Sequence, residues 1–361
     1  MKKWISFILL LPCLLCAEPL KIGVAGLVHG HANNFFKKID PAVIQIVGIV
    51  EPDATVAQKY AERFNLDEAL FFPSLDALLK AVKPEAVVAF STTKDHLTIV
   101  EACAPAGVHV MVEKPLALNL SDAERIAALV RKHGIHVLTN YATTWYPTTE
   151  ECLRITRERQ FGTLRKVVIH DGNPGPYGRV PDEFFAWIKD PKINGGGALM
   201  DFGCYGACIM TGLMNNRMPL SVTAVTQQMR PDLYPDVEDE ATIILTYPDS
   251  QCIIQASWNW PVGRKDIEIY GETGYARAID AKAMALREAG SKAESLHTLQ
   301  NQPGQPNNPL DYLAAVVRDE IDPTGSLSSI ENGLIAMHIL DAARASARTG
   351  KTVQLPVNNS N

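Results

Sequence analysis

The sequence predicts two domains of different fold class: an α/β domain with a doubly wound parallel sheet, then an α+β domain with a large, mainly antiparallel open sheet. Within residues 18–140, short apolar runs alternate with helical patterns, as they do where parallel strands are joined by crossover helices. Residues 220–279 instead contain successive extended runs with turns between them. The length of 361 residues is enough for two domains that each bury a core.

The first domain is predicted to contain five strands. The apolar runs that predict them cover residues 22–27, 43–50, 86–90, 108–112 and 135–139. Helical patterns lie between these runs, at residues 31–39, 53–64, 95–104 and 121–133. Gly107 and Gly134 follow the last two helices, and Ser121 with Glu124 has the spacing of a capping box.

The second domain is predicted over residues 141–361. It begins with a helix at residues 148–159 and a strand at 164–171. A triple glycine then opens a helix over residues 194–210, before the extended runs. Residues 291–309 are polar and predict a surface loop. A final helix over residues 329–349 is predicted to pack back toward the first domain.

Residues 1–17 have the composition of a secretory signal peptide. Lys2 and Lys3 precede a short apolar run at residues 5–15, and a polar break follows Ala17. The run is short for a membrane span. We therefore expect cleavage near Ala17, no stable membrane span afterwards, and a periplasmic or secreted protein. A lipoprotein signal ending at Cys16 is the alternative.

Charge and cysteine content exclude several classes of protein. The net charge of −6 gives no electrostatic reason to expect a nucleic acid as partner. Five cysteines lie outside the signal segment, an odd number without metal-type spacing, so neither a disulfide framework nor a metal site is predicted. These cysteines are Cys103, Cys152, Cys204, Cys208 and Cys252.

The first predicted strand leads into a turn where a Rossmann domain holds the pyrophosphate of a dinucleotide. Residues 26–31 read GLVHGH, with Val28 and His31 at the second and third positions of the G-x-G-x-x-G pattern. Glu51 ends the second strand, where an acidic side chain accepts hydrogen bonds from ribose hydroxyls and repels a 2′-phosphate. A plain strand-to-helix turn is the alternative. The pattern favours NAD over NADP, bound by Gly26, Leu27, Val28, His29 and Glu51.

Polar side chains also follow the third predicted strand. Ser91, Thr92 and Thr93 come directly after it, and His96 lies in the first turn of the next helix. At this edge of a parallel sheet they could line the cofactor groove. Simple helix capping by serine or threonine is the alternative.

The fourth predicted strand ends in an unusual charged sequence. Residues 108–118 read VHVMVEKPLAL, so apolar residues run directly into Glu113, Lys114 and Pro115. Proline favours an extended conformation for Lys114, at the edge of the sheet where ligands bind. A solvated turn that carries charges is the alternative.

The helix after the triple glycine carries Asp201 and Tyr205, which are four residues apart and so share one face. A carboxylate and a phenol could together move the proton of a substrate alcohol. An ordinary half-buried helix position is the alternative. Trp258, Trp260 and Arg264 are predicted to stiffen a sheet face or to form an oligomer interface.

Taken together, these residues resemble the Gfo/Idh/MocA oxidoreductases, and in particular the glucose–fructose oxidoreductase-like branch. The resemblance rests on the nucleotide-binding pattern, on Glu113-Lys114-Pro115, and on GGGALMDFGCY at residues 195–205. It extends to the closing sequence ENGLIAMHILDAARASARTGKTV. It implies that Lys114, Asp201 and Tyr205 form the catalytic group, with Glu113 beside the cofactor. Residues 140–145 read NYATTW and lack the family's usual arginine, so different substrate contacts are expected.

The resemblance implies hydride transfer between a hydroxyl-bearing carbon of a sugar or glycoside and carbon 4 of a nicotinamide. Tyr205 would move the hydroxyl proton, and Lys114 would lower the pKa of Tyr205. Asp201 would orient the substrate and the lysine. Sugar contacts are predicted at Asn140, Trp145, Asn173 and Trp187.

Export has a further consequence, because the periplasm contains no free nicotinamide pool. We expect a tightly bound cofactor that is regenerated on a second substrate. A redox-neutral, NAD-dependent glycosidase-like enzyme and a non-catalytic sugar- or nucleotide-binding protein are the alternatives. An open sheet with exposed tryptophans also predicts a homo-oligomer, either a dimer or a tetramer.

Overall fold

The structure, a computed structural model, describes residues 18–356. The predicted signal peptide at residues 1–17 lies outside the described residues. The first part of the chain forms a five-stranded sheet, and the second part forms a nine-stranded sheet. The predicted fold class, an α/β domain followed by an α+β domain with a mainly antiparallel sheet, is therefore confirmed.

The first sheet is parallel throughout. Its strands are β1 (Leu20–Ala25), β2 (Ile44–Val50), β3 (Ala86–Ala89), β4 (His109–Glu113) and β5 (Val137–Asn140). They lie in the order β2-β1-β3-β4-β5. The connecting helices are α1 (Ala32–Lys38), α2 (Ala54–Phe64), α3 (Leu75–Val82), α4 (His96–Cys103) and α5 (Leu120–His133). β3 is buried along its whole length, since helices cover both faces of the sheet.

Local capping sets the ends of α5. The predicted capping box at Ser121 is wrong, because Asn119 caps the helix: its side chain accepts a hydrogen bond from the Asp122 backbone N–H at 2.9 Å. Gly134 ends the helix at φ 65°, in the left-handed region that favours glycine.

The second part of the chain contains the remaining elements. Its helices are α6 (Pro147–Arg157), α7 (Asp182–Ile188), α8 (Pro191–Asn194), α9 (Ala198–Asp201), α10 (Gly203–Leu213), α11 (Pro309–Val317) and α12 (Ile330–Thr349). Its strands are β6 (Lys166–Gly172), β7 (Ser221–Gln227), β8 (Glu240–Thr246), β9 (Gln251–Ser257), β10 (Arg264–Tyr270), β11 (Gly274–Ala278), β12 (Ala283–Glu288), β13 (Ser295–Thr298) and β14 (Val353–Gln354).

The single helix predicted over residues 194–210 is wrong, because the chain there forms α8, α9 and α10. At Gly197 the backbone runs so close to Glu238 that a β carbon would lie 1.9 Å from the Glu238 carbonyl oxygen. The Ala198 N–H donates to that same oxygen at 3.0 Å, and this contact separates α8 from α9. α9 ends at Asp201 and α10 begins at Gly203, so Asp201 and Tyr205 lie on two successive helices rather than on one.

The large sheet has the strand order β13-β12-β11-β10-β6-β9-β8-β7-β14. It is not the simple meander that the sequence predicts, because β6 lies between β9 and β10. β6 pairs antiparallel with β10 and parallel with β9. The surface loop predicted over residues 291–309 contains β13, an edge strand with all four residues exposed. Because β13 has no buried face, its sequence shows no apolar alternation from which the strand could have been predicted.

Helix α12 joins the two domains. It packs against α5 and β5 of the first domain, and against α10 and β7 of the second. A β carbon at Gly333 would lie 3.1 Å from Leu116, and the Arg344 guanidinium donates to the Leu118 carbonyl oxygen. One face of the first sheet shares a continuous apolar core with the second domain. The other face forms a separate core with α1, α2 and α11.

The five cysteines of the described residues are all buried and form no disulfide with one another. Within residues 18–356, every helix is too short or too polar to cross a bilayer.

Gly206 of α10 tests the packing of the second domain. A β carbon there would lie 2.4 Å from Ile254 Cγ2 of β9. We expect Gly206→Ala to lower stability by about 1–3 kcal/mol through overpacking, although alanine favours a helix by about 1 kcal/mol. Thermal unfolding measures the change. Ile254→Ala should lower the free energy of unfolding less in the Gly206→Ala background than it does alone. Fully additive losses of stability would contradict this packing.

Candidate active site

The candidate site lies where the carboxyl end of β4 meets the second domain. Lys114 follows β4 directly and precedes Pro115 through a cis peptide bond. His96 of α4 supports this loop, because its Nδ1 lies 3.1 Å from the Pro115 carbonyl oxygen and 3.2 Å from that of Leu116. His96 was predicted to line the cofactor groove; here it positions the loop that carries Lys114.

Lys114 and Asp201 form a buried ion pair across the two domains. The Lys114 ammonium donates to the Asp201 carboxylate, and to the Asp201 carbonyl oxygen at 3.0 Å. The Trp258 indole N–H donates to the second carboxylate oxygen at 2.9 Å. Burial alone would raise the pKa of Asp201, but the Lys114 ammonium holds that pKa below its ordinary value. Asp201 is therefore a carboxylate with both oxygens engaged.

Tyr205 lies beside this pair and is only 2% exposed. Its ring centroid is 5.4 Å from Lys114 Nζ and 3.5 Å from Lys265 Nζ. The prediction that Lys114 lowers the pKa of Tyr205 is wrong. Burial raises that pKa well above its ordinary value, while the Lys114 ammonium is directed at Asp201.

A chain of hydrogen bonds leads away from Glu113. Its carboxylate lies 2.9 Å from His31 Nδ1 and accepts a hydrogen bond from the Asn140 amide at 2.9 Å. Asn140 in turn accepts from the Trp145 indole N–H at 3.2 Å. Burial would raise the pKa of Glu113, but the two histidines nearby hold it well below its usual range. These side chains line a cavity of about 570 Å³ between α1 and α11.

His29 is a buried, neutral imidazole. Its Nδ1 accepts the His31 backbone N–H at 3.2 Å, so its own proton must lie on Nε2. Nε2 is buried and has no hydrogen-bond partner among residues 18–356. Burial lowers the pKa of His29 to about 3. Trp187 packs on the His29 ring and donates to the Val28 carbonyl oxygen, so it supports the turn rather than an open substrate surface.

The ring atoms of His29 and His31 and the Glu113 carboxylate approach within 4.8 Å of one another. A metal bound at His29 Nε2 would require that atom to lose its proton, and the hydrogen bond at Nδ1 opposes this change. His170, Asp266 and Glu268 also lie close together, but the Arg264 guanidinium already occupies both Asp266 oxygens. That the protein needs no metal stays a prediction.

The turn after β1 fits a dinucleotide at this edge of the sheet. Gly26 has φ 80°, and a β carbon there would lie 2.6 Å from Ser91 Cα, so glycine is required. The Glu51 carboxylate accepts the Leu27 N–H at 2.6 Å, which places the predicted ribose-binding acid against the turn. A β carbon at Gly30 would meet no atom within 4 Å, so the turn has open space beside it.

The hydroxyl groups after β3 have protein partners. The Ser91 hydroxyl donates to the Thr92 carbonyl oxygen, and the Thr92 hydroxyl donates to the Asp95 carboxylate at 2.6 Å. The Thr93 hydroxyl donates to Asn194 of α8 at 2.9 Å. Thr93 therefore joins the two domains at the side of the site.

Three site residues were not predicted for this role: Trp258, Asp171 and Lys265. Trp258 was assigned to a sheet face or an interface, yet its indole is fully buried against Asp201. Asp171 and Lys265 lie directly opposite each other on β6 and β10. In each strand the apolar alternation predicts a buried side chain at this position, and a charged residue stands there instead. This mismatch is a signal that could have been read from the sequence. Asn173, a predicted sugar contact, lines a cleft with Lys265.

The pKa of His29 gives a pH-dependent stability. In the unfolded chain its pKa is near 6.5, so only the unfolded state takes up this proton between about pH 6.5 and 3. The free energy of unfolding should therefore decrease as the pH is lowered through that window. His29 should account for about 2 kcal/mol of this decrease between pH 6.5 and 5. His29→Asn keeps an acceptor for the His31 N–H and should reduce that dependence.

Urea unfolding at pH 7 and pH 5 measures the effect. His297→Gln, at an exposed position of β13, is the matched control and should keep the wild-type dependence. An unchanged pH dependence in His29→Asn would contradict a buried neutral imidazole.

Sequence comparison identifies the family of both domains. Residues 20–141 match the family described as "Oxidoreductase family, NAD-binding Rossmann fold". Residues 150–277 match the "GFO/IDH/MocA C-terminal domain".

Curated relatives are diol dehydrogenases. Trans-1,2-dihydrobenzene-1,2-diol dehydrogenase of Xenopus laevis is 28% identical over 230 residues, which are 63% of this chain and 65% of that protein. The enzyme of the same name from Bos taurus is 24% identical over 264 residues, or 71% of this chain and 72% of that protein. The match therefore spans just under two thirds of the Xenopus enzyme.

Solved structures share the fold. The aldose-aldose oxidoreductase of Caulobacter crescentus superimposes with a TM-score of 0.77 at 22% identity, covering 93% of this chain and 100% of that one. An inositol dehydrogenase homolog from Azotobacter vinelandii, complexed with NAD+, gives 0.80 at 17% identity, covering 94% and 98%. With both domains matched, the chain belongs to the Gfo/Idh/MocA family of oxidoreductases, and its first domain is an NAD-binding Rossmann domain.

Proposed function

We propose that this protein is a nicotinamide-dependent oxidoreductase that transfers hydride to or from a hydroxyl-bearing carbon of a sugar or glycoside. The observation that carries the proposal is the group of Lys114, Asp201 and Trp258, with Tyr205 beside it, at the ligand-binding edge of the NAD-binding domain. The names of the relatives support it, since a diol, an aldose and an inositol all carry hydroxyl groups.

Lys114 is placed to hold a substrate oxygen. A lysine ammonium has three N–H donors, and two of them are directed at the Asp201 carbonyl and carboxylate oxygens. The third is left for the substrate. Burial would lower the pKa of Lys114, but Asp201 raises it, so the charge stays on the amine at neutral pH. That charge would stabilise the negative charge that develops on the substrate oxygen. The bound nicotinamide would accept or supply the hydride.

Tyr205 is the proton carrier in this proposal. Its raised pKa keeps the phenol protonated at neutral pH, which suits donation of a proton to a carbonyl oxygen during reduction. In the opposite direction the phenolate would accept the hydroxyl proton, and the raised pKa makes that direction the less favourable one at neutral pH. Asp201 fixes Lys114 and thereby positions the substrate.

We further propose that the protein is exported to the periplasm or secreted, that it binds its cofactor tightly, and that it regenerates the cofactor on a second sugar. The composition of residues 1–17 supports export. The name of the Caulobacter relative, an aldose-aldose oxidoreductase, is consistent with two sugar substrates. The open nine-stranded sheet ends in the exposed edge strand β13, which supports a homo-oligomer, a dimer or a tetramer.

Native mass spectrometry of the protein purified from its exported fraction tests these points together. We expect a mature chain that begins near Glu18, a bound NAD that dissociates only on denaturation, and an oligomer mass. A mature chain that retains residues 1–17 would contradict export. A protein that releases no nicotinamide nucleotide, and binds none when it is added, would exclude the proposed chemistry.

Tyr205→Phe removes the proton carrier but keeps the buried ring. We expect turnover of a sugar panel to fall by about 10²–10⁴-fold while NAD binding stays unchanged. Steady-state kinetics and NAD titration measure the two effects. Tyr275→Phe, on β11 of the large sheet, is the matched control and should keep wild-type rates. A near-normal rate in Tyr205→Phe would remove Tyr205 from the mechanism.

A further inference from the structure

A cleft of about 610 Å³ opens in the second domain beside the candidate active site. It is lined by Asn173 at the end of β6, by Lys265 of β10, and by Phe202, which directly follows Asp201. The rings of Phe202 and Tyr205 are stacked with centroids 6.4 Å apart. The volume is in the range of small-molecule sites, and two residues that line the cleft, Phe202 and Lys265, contact the Tyr205 ring.

The cations around this cleft differ in their partners. Arg264 donates to both carboxylate oxygens of Asp266, each at 2.8 Å, and Arg277 donates to Glu294 at 2.9 Å. Lys265 forms no ion pair with any acidic group of residues 18–356. Its ammonium lies over the Tyr205 ring, and no carboxylate oxygen of the described residues lies within ion-pair distance of it.

Asp171 adds a second polar group at the same point. It lies directly opposite Lys265 in the pairing of β6 with β10 and is 1% exposed. Both of its carboxylate oxygens lack a hydrogen-bond partner in the described part of the chain. Burial raises the pKa of Asp171 well above its ordinary value and lowers the pKa of Lys265, and each group opposes the shift of the other. Asp171, Lys265 and Tyr146 line one small cavity, and Lys265 and Tyr146 also line the cleft.

We propose that Lys265, with Asp171 opposite it on β6, forms a subsite for a carboxylate, so that the substrate of the proposed oxidoreductase is a sugar acid, such as a uronic acid, rather than a neutral sugar. The inference rests on the proposed function in one respect, because it takes the ligand of this subsite to be the substrate of that reaction. A carboxylate in the cleft would accept a hydrogen bond from the Lys265 ammonium and would neutralise its charge. A neutral hydroxyl would leave that charge without a counter-charge.

The distances suit one sugar ring. Lys265 Nζ and Lys114 Nζ lie 3.5 and 5.4 Å from the same Tyr205 centroid, so the two amines are no farther apart than the sum of these distances. This upper limit is within the length of a monosaccharide acid, which would place its carboxylate at Lys265 and a hydroxyl-bearing carbon at Lys114. A phosphate ester fits less well, because phosphate favours arginine forks, and those of Arg264 and Arg277 are occupied.

Calorimetric titration of the full-length, NAD-saturated protein tests the subsite without requiring turnover. The probes are glucuronate, glucose and glucose 6-phosphate. We expect glucuronate to bind at least about tenfold more tightly than the other two, and Lys265→Met to weaken it by about 10–100-fold with little change for glucose. Lys265→Arg should restore part of the affinity. Lys282→Met removes an exposed charge near the rim and is the matched control, with wild-type affinities expected.

Each other result is decisive. Equal affinity for glucuronate and glucose, preference for the phosphate ester, no binding of any probe, or an unchanged affinity in Lys265→Met would overturn the carboxylate subsite. Circular dichroism of Lys265→Met, with its NAD affinity, establishes that the variant is folded. Glucuronate that binds through Lys265 without reducing the bound NAD would leave the subsite standing and would count against the proposed hydride transfer.

Discussion

The geometry of the site depends on one buried carboxylate, that of Asp201. An ionised carboxylate removed from water is stable only with charged or hydrogen-bonding partners, and loss of one partner from such a pair costs about 3–5 kcal/mol. Asp201 receives Lys114 from the first domain and the Trp258 indole from the second. The relative position of the two domains and the ionisation of the site are therefore fixed by the same contacts.

Each of the three residues, Lys114, Trp258 and Asp201, is held by its own local structure. His96 contacts the loop that carries Lys114, and Trp258 directly follows β9 in the large sheet. Asp201 ends a short helix that begins where Gly197 meets the Glu238 carbonyl oxygen. A side chain at Gly197 would push this segment away from Glu238, and with it Asp201 away from Lys114. The break between α8 and α9 at Gly197 is thus a requirement of the site rather than an irregularity.

The grouping of Lys114, Asp201 and Tyr205 came from the family resemblance. Local pattern was sufficient for the fold class, because alternation and glycine turns are features of contiguous residues. It was insufficient for contacts between distant segments. The insertion of β6 between β9 and β10 depends on which strands pair, and the meeting of Asp171 with Lys265 depends on the register of that pairing. The pKa of Tyr205 could not follow from spacing either, since it depends on burial and on where the Lys114 ammonium points.

The charged groups of the site together favour negative charge on a bound ligand. Glu113 is balanced by His31, and Asp201 by Lys114, whereas Lys265 brings a positive charge with no acidic ion-pair partner in the described chain. Tyr205 lies between the two ammonium groups and keeps its proton. An environment of this kind favours any species in which negative charge has moved onto the ligand, whether on a reacting oxygen or on a fixed carboxylate. The proposed reaction places its developing negative charge on an oxygen within reach of Lys114, where the protein already holds the compensating charge in position.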